Sequence, residues 1–243
     1  MLFARTAGLC TLVLTGLVLT PSAAQAQWYF QGYLGGNHTR SADVRIRQPS
    51  AGVDLTFANV SFDAEPLKAP QYYGYRFGRM QKRGVLGVEF EFLHLKIYAR
   101  TSEQVRVTGQ LAGSNVATNA RMDETVQRYS MSHGLNFILA NLVSRIPLGA
   151  SRSAFVVRGG LGPTLPHGES VVFGVNREQY EWAGLGLQGA AGLDLHITGR
   201  ISGVVEYKLT HARPTISIAN GTGRMTAVTQ QIAVGLGIEL RRR

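Results

Sequence analysis

A hydrophobic period of two recurs along most of this chain, and the segments that carry it are joined by connections that are alternately short and long. Residues 226–240 show the period most clearly. Val228, Gln230, Ile232, Val234, Leu236, Ile238 and Leu240 share one face, and Thr229, Gln231, Ala233, Gly235, Gly237 and Glu239 share the other. Side chains alternate across a strand, so one side is apolar and the other small or polar. From 179, Leu185, Leu187, Leu193 and Leu195 oppose Gly186, Gln188, Gly192 and Asp194. From 200, Ile201, Val205, Tyr207 and Leu209 oppose Ser202, Glu206 and Lys208. From 84, Leu86, Val88, Phe90 and Phe92 oppose Gly87, Glu89 and Glu91. Residues 28–40 and 71–79 add two strands, the second with Tyr73, Tyr75 and Phe77 on one face. Residues 130–146 and 153–165 add two more, whose faces the pattern leaves ambiguous.

These are eight strands. The short connections are 80–83, 147–152 and 196–199; the long ones are 41–70, 100–129, 166–178 and 212–225. Outer-membrane barrels have short turns at one end and long loops at the other. The expected fold is therefore all-β, an eight-stranded antiparallel transmembrane β-barrel of the outer-membrane type. Its first strand should pair with its last, because lipid cannot satisfy an open edge. A soluble sandwich would not require the strict alternation of connections. Eight strands leave room inside only for side chains. Glu89, Glu91, Gln188, Glu206, Lys208 and Glu239 are expected to form a polar plug, with no open pore.

Other classes are excluded. Charged residues make up 16% of the chain, too few for a disordered protein. No apolar run reaches the ~20 residues of a spanning helix. The only cysteine is Cys10, so there is no disulfide framework. Arg5, the apolar run 9–19, Pro21 and Ala24-Gln25-Ala26 form a secretory leader over 1–26, leaving 27–243 as one barrel domain. The net charge of +10 then suits an anionic membrane surface better than nucleic acid. Both termini are expected in the periplasm, and the localisation is the outer membrane. Expected partners are outer-membrane lipid, lipid A or lipopolysaccharide, and the barrel-assembly machinery. The terminal strand departs from the common pattern by ending on Leu240 and three arginines instead of an aromatic residue.

Five of the six histidines, His38, His94, His133, His167 and His211, fall at predicted long-loop ends of strands; His196 lies in a short turn. Imidazole binds metals and moves protons near neutral pH. Glu169 and Glu206 lie near in sequence, and Lys96 and Lys208 could meet phosphate. The candidate site is thus His94, His133, His167, His211, Glu169 and Glu206 as acid/base groups or ligands, with Lys96 and Lys208 binding anionic groups. A divalent metal is compatible with this set, although no tight ligand spacing such as HExxH exists. Barrel rims also carry amphipathic residues for purely structural reasons. By parity, His94 and Lys96 continue the lipid-facing set unless a bulge intervenes. No βα unit follows the glycine-rich runs, so no nucleotide cofactor is expected. No compelling serine, histidine and carboxylate trio suggests a deacylase-like hydrolase.

Four stretches carry a resemblance: GVEFEFLHLKIYA from Gly87, MSHGLNFILAN from Met131, GGLGPTLPHGES from Gly159, and VVEYKLTHARPTISIANGTGR from Val204. Together they resemble the lipid A oxidase family of small outer-membrane barrels found in rhizobia and their relatives. The HLK, SHGLN, LPH and EYK-T-A elements are the distinctive part. The resemblance implies oxidation of the reducing-end glucosamine of lipid A to an aminogluconate, using molecular oxygen. It implies no particular catalytic residues, and it does not include 41–70. A non-enzymatic barrel that binds lipopolysaccharide or stabilises the membrane is the alternative.

Overall fold

The computed structural model describes residues 27–81 and 85–240. The expected leader, part of the turn at 80–83 and the terminal arginines lie outside the described residues. Sixteen strands follow one another: β1 (Gln27–Thr39), β2 (Ala42–Gln48), β3 (Val53–Val60), β4 (Phe62–Asp63), β5 (Tyr73–Met80), β6 (Leu86–Ala99), β7 (Gln104–Leu111), β8 (Ser114–Arg121), β9 (Val126–Pro147), β10 (Ala154–Val172), β11 (Val175–Tyr180), β12 (Leu185–Thr198), β13 (Ile201–Ala212), β14 (Thr215–Ile218), β15 (Gly221–Met225) and β16 (Ala227–Leu240).

Eight of them close a barrel. Around the ring the order is β1, β5, β6, β9, β10, β12, β13, β16 and back to β1, every pair antiparallel. The seam runs in unbroken register from Trp28 opposite Leu240 to Thr39 opposite Thr229. First strand pairs with last, as closure in lipid requires.

The faces follow the alternation. Ile232, Val234, Leu236 and Ile238 are exposed, as are Leu185, Leu187 and Leu193. Gln188, Asp194, Glu206 and Lys208 are buried inside. On the two ambiguous strands, Leu142, Ile146, Phe155, Val157 and Leu161 also point outward. This apolar wall is what a transmembrane barrel presents to hydrocarbon. Trp28 stacks on Phe77 near the short-turn end, with ring centroids 4.9 Å apart. Tyr180 and Trp182 are exposed near the long-loop end. Aromatic rings at both margins of an apolar wall mark its two interfaces.

The long connections are more ordered than expected. Strands β14, β15, β2, β3, β7 and β8 form a second, six-stranded sheet beyond the barrel. Its local alternation explains it: Val44 and Ile46 are buried between exposed Arg45 and Arg47, and Val53, Leu55 and Phe57 repeat the pattern. These apolar faces join Leu93, Leu95, Ile97, Met131, Leu135 and Phe137 of the barrel in one hydrophobic core. The connections expected at 100–129 and 166–178 are likewise shorter, because β9 starts at Val126 and β10 runs on to Val172.

Candidate functional site

Two polar regions stand out, one inside the barrel and one on its wall. Inside, Arg76, Arg158 and Lys208 meet Glu89, Glu91 and Glu206, three cations against three carboxylates, all fully or almost fully buried. Arg76 Nε lies 3.0 Å from Glu91 Oε1, and its terminal nitrogen contacts Glu206. Arg158 Nε lies 3.2 Å from Glu89 Oε2 and its guanidinium also reaches Glu206. Lys208 contacts Glu91 and sits 3.7 Å from Glu206. Neutral groups complete the network. Asn141 donates to Glu89 and Glu91 at 3.0 and 2.7 Å, and Tyr29 donates to Glu89 at 2.6 Å. Tyr29 and Tyr33 extend across Gly78 and Gly74, where a Cβ would fall 2.3 and 2.0 Å from the phenols. Burying an ion is costly unless it is paired and hydrogen-bonded, and each of these six is both.

This plug assigns a structural place to two residues named as site candidates: Glu206 and Lys208 are sealed in the lumen, away from the rim histidines. Parity brings them there, because they alternate with lipid-facing Val205, Tyr207 and Leu209. Arg76 and Arg158 escaped the sequence reading. Arg76 was legible, since it opposes Tyr75 and Phe77; Arg158 sits in the run whose faces looked ambiguous. Glu239 is not in the plug. It lies by the short-turn end, 3.8 Å from Arg145 and 3.3 Å from Arg152.

The second region is on the outer wall, where β6, β9 and β10 leave the apolar belt. On β10 the outward residues run from Phe155 to Leu165 and then to His167 and Glu169. Ten residues at ~3.3 Å, tilted by ~40°, rise about 25 Å, the height of a lipid-facing band. His167 is therefore the first outward residue above that band. Beside it, β9 carries a bulge. Leu95 and Ile97 of β6 oppose Leu135 and Met131, so two steps of β6 face four of β9; β10 sees the same two extra residues. The extra residues lie in Ser132-His133-Gly134, and Gly134 takes the positive φ of 99° that the bulge requires. A bulge re-aims side chains, and His133 is half exposed on the wall.

His133, His167 and Glu169 converge, with one ligand atom from each lying within 4.8 Å of the others. Glu169 Oε1 is 3.6 Å from His133 Nδ1 and 3.9 Å from His167 Nδ1. The imidazoles meet edge to face at 4.6 Å, and His167 rests on Tyr180 at 4.5 Å. Ser132 Oγ donates to Glu169 and lies 3.0 Å from His133 Nδ1; Ser130 Oγ donates to Glu169 Oε2 at 3.4 Å. His167 Nδ1 is buried with no hydrogen-bond partner.

Of the four histidines expected to cluster, two do so. His94 is a neighbour but not a member. It stays on the outward face of β6, since the extra residues are on β9, and it is covered by Tyr73, stacked at 4.8 Å. Its Nδ1 bonds Asn136 at 2.8 Å, and its ring lies over Gly134. Lys96 is buried, donating to the Lys68 carbonyl at 3.0 Å, so it ties down the 64–72 connection. His211 is on β13, two strands away from β10, opposite Val228 and Leu187. His38 is on β1, halfway round the ring.

Fold and surface together define a closed, plugged, eight-stranded barrel of the outer-membrane type with a polar patch at one rim. No known family profile matches the chain, and no curated protein matches its sequence. Among solved structures it is similar in overall shape to Neisserial surface protein A, with 10% identity over 88% of this chain and 97% of that one and a TM-score of 0.42. It is similar to OprG from Pseudomonas aeruginosa, with 13% identity over 90% and 97% and a TM-score of 0.45. The outer membrane protease OmpT from Escherichia coli matches at 9% identity over 88% and 97%, with a TM-score of 0.46.

Proposed function

We propose that this chain is an outer-membrane barrel that binds lipid A through the patch on β6, β9 and β10 and oxidises the anomeric carbon of its reducing-end sugar from the hemiacetal to the lactone level, with molecular oxygen taking the two electrons and two protons as hydrogen peroxide. The long-loop end faces outward in this reading, so the patch meets the outer leaflet. The observation that carries it is the position of the patch: outside the barrel, directly above the apolar belt, while the lumen is filled by paired ions. A group there has lipid headgroups as neighbours, and a lipid substrate needs no channel through the lumen to reach it. The elements that carry the resemblance support the same reading. His94 to Lys96, Ser132 to Asn136 and Leu165 to His167 lie on three different strands and come together around this patch. Glu206 to Ala212, the fourth element, begins in the plug and supports the barrel. Glu169 and the two imidazoles supply acid/base groups or metal ligands beside the lipid sugar.

The test is mass spectrometry of lipid A from cells with and without this gene, and with His133→Ala and His167→Ala. Native protein should shift the lipid A mass by oxidation, and both variants should lose the shift while still assembling. An unmodified lipid A with native protein removes the oxidase. Native barrel that fails to retain lipid A in detergent removes the binding reading as well.

A further inference from the structure

We propose that His133, His167 and Glu169 form a binding site for a divalent first-row transition metal ion of the zinc or iron(II) class, open toward the outer leaflet. The inference deepens the lipid A reading, on which it rests only for the molecule that the ion would meet. The donor set is the first argument. Two imidazoles with one carboxylate suit such ions, whereas calcium and magnesium take oxygen ligands. Three protein ligands leave a position open for a further group.

Geometry is the second argument. Around a tetrahedral ion with ligand bonds of ~2.1 Å, neighbouring donors are about 3.4 Å apart. Here the carboxylate oxygen lies 3.6 and 3.9 Å from the two Nδ1 atoms. The three ligand atoms as a set lie within 4.8 Å of one another, so side-chain movements of up to about an ångström bring them to that spacing.

The third argument is independent of the other two. Buried polar atoms in folded proteins are nearly always hydrogen-bonded. His167 Nδ1 has no partner, although Glu169 and His133 lie beside it. An ion in the cluster gives that nitrogen the partner it lacks when the imidazole carries its proton on Nε2. The surroundings already hold the carboxylate in position. Ser130 and Ser132 donate to Glu169, and Arg128 lies 3.7 Å from Oε2, on the oxygen away from the imidazoles. Such hydrogen bonds orient a ligand for its metal.

Exposure gives the site its role. His133 is half exposed, while Glu169 and His167 are mostly covered. The open position faces outward, where an anionic headgroup oxygen would complete the coordination and anchor the lipid against the wall.

The experiment uses the full-length barrel without a histidine tag, refolded in detergent, stripped of metal and dialysed against Zn(II) or Co(II). Native protein should bind one ion per chain, and Co(II) should give the visible absorption of a low-coordinate site. His167→Ala and Glu169→Gln should abolish binding. Ser132→Ala should weaken it ~10-fold. His38→Ala, on the opposite wall, should leave it unchanged. Heat-dependent gel mobility verifies that each variant is folded. Binding below one ion in five chains, or binding that survives both ligand variants, overturns the site. Because no lipid is present, that failure is separate from failure of the lipid A reading, which the lipid mass measures.

Discussion

The lumen and the rim both gather basic side chains around carboxylates, and they differ in how completely those charged and ligating groups are paired. Inside, three cations face three carboxylates, and each ion has both a charge partner and hydrogen bonds. At the rim, one carboxylate serves two imidazoles, and one imidazole nitrogen has no partner. In the plug every ion is paired, and the one polar atom left over is the neutral Gln188 Oε1, which suits a structural part. The rim lacks something that a ligand supplies, which suits a functional one. Burial goes with this: the plug is sealed, and the rim opens to lipid.

The same substitution at the two places should therefore have different effects. Glu91→Gln leaves Arg76 and Lys208 short of a buried counter-charge and should cost ~3–5 kcal/mol. Glu169→Gln, at the partly open rim, should stay within about 1 kcal/mol. Urea unfolding of the barrel in lipid vesicles measures both. Equal losses would make the rim carboxylate another structural ion and break the contrast.

A further substitution calibrates the wall between the two regions. Leu236→Arg, in the middle of the exposed set of β16, should cost ~2–4 kcal/mol by placing a cation in hydrocarbon. The same unfolding assay reads it, and a neutral result would mean that this face meets no lipid. Gly134→Ala acts at the bulge. Its φ of 99° and a Cβ only 2.4 Å from the His94 ring predict a loss of ~1–3 kcal/mol. Metal binding should fall with it, because the bulge aims His133; unchanged binding would show that the bulge is dispensable.

The smallest effect belongs to the outer sheet. Arg45 donates to both oxygens of Asp54 at 2.7 Å, and this bidentate bond holds the Asp54 carboxyl below its ordinary range. A carboxylate lowered in the folded state stabilises above its unfolded value and loses that contribution as the pH falls through its folded one. Asp54→Asn should therefore cost under ~1 kcal/mol at neutral pH, since both side chains are largely solvated. The difference from native protein should fade below about pH 4. A pH series of unfolding midpoints tests this, and a gap that widens in acid would reverse the sign.

The alternation of one residue in and one out made the barrel legible, together with the inward places of Glu89, Glu91, Glu206 and Lys208. It also separated the lipid-facing leucines from Gln188 and Asp194. The outer sheet is less legible although Val44, Ile46, Leu55 and Phe57 alternate as clearly, because these short strands pair across separate connections and a local period does not name the partner. The rim was half legible. Histidines at strand ends pointed to it, and His167 and Glu169 share a parity on β10. The bulge that brings His133 beside them depends on pairing with two neighbouring strands, which one-strand periodicity does not contain. His211 shows the reverse error: an outer strand end fixes the height of a residue but not its position around the ring.

The plug also acts as a check on assembly. Arg76 and Glu91 pair within the β5–β6 hairpin, but the cross-lumen ion pairs join β5 to β13 and β6 to β10 and β13, none of these being neighbours in the ring. Glu91 and Lys208 sit on staves that face each other across the lumen. No isolated hairpin can make these pairs; they form only as the cylinder closes. A one-residue slip of β6 would turn Glu89 and Glu91 toward hydrocarbon and leave three cations inside with Glu206 as their one carboxylate. The cross-lumen charges thus favour the correctly registered, closed cylinder over slipped or open pairings.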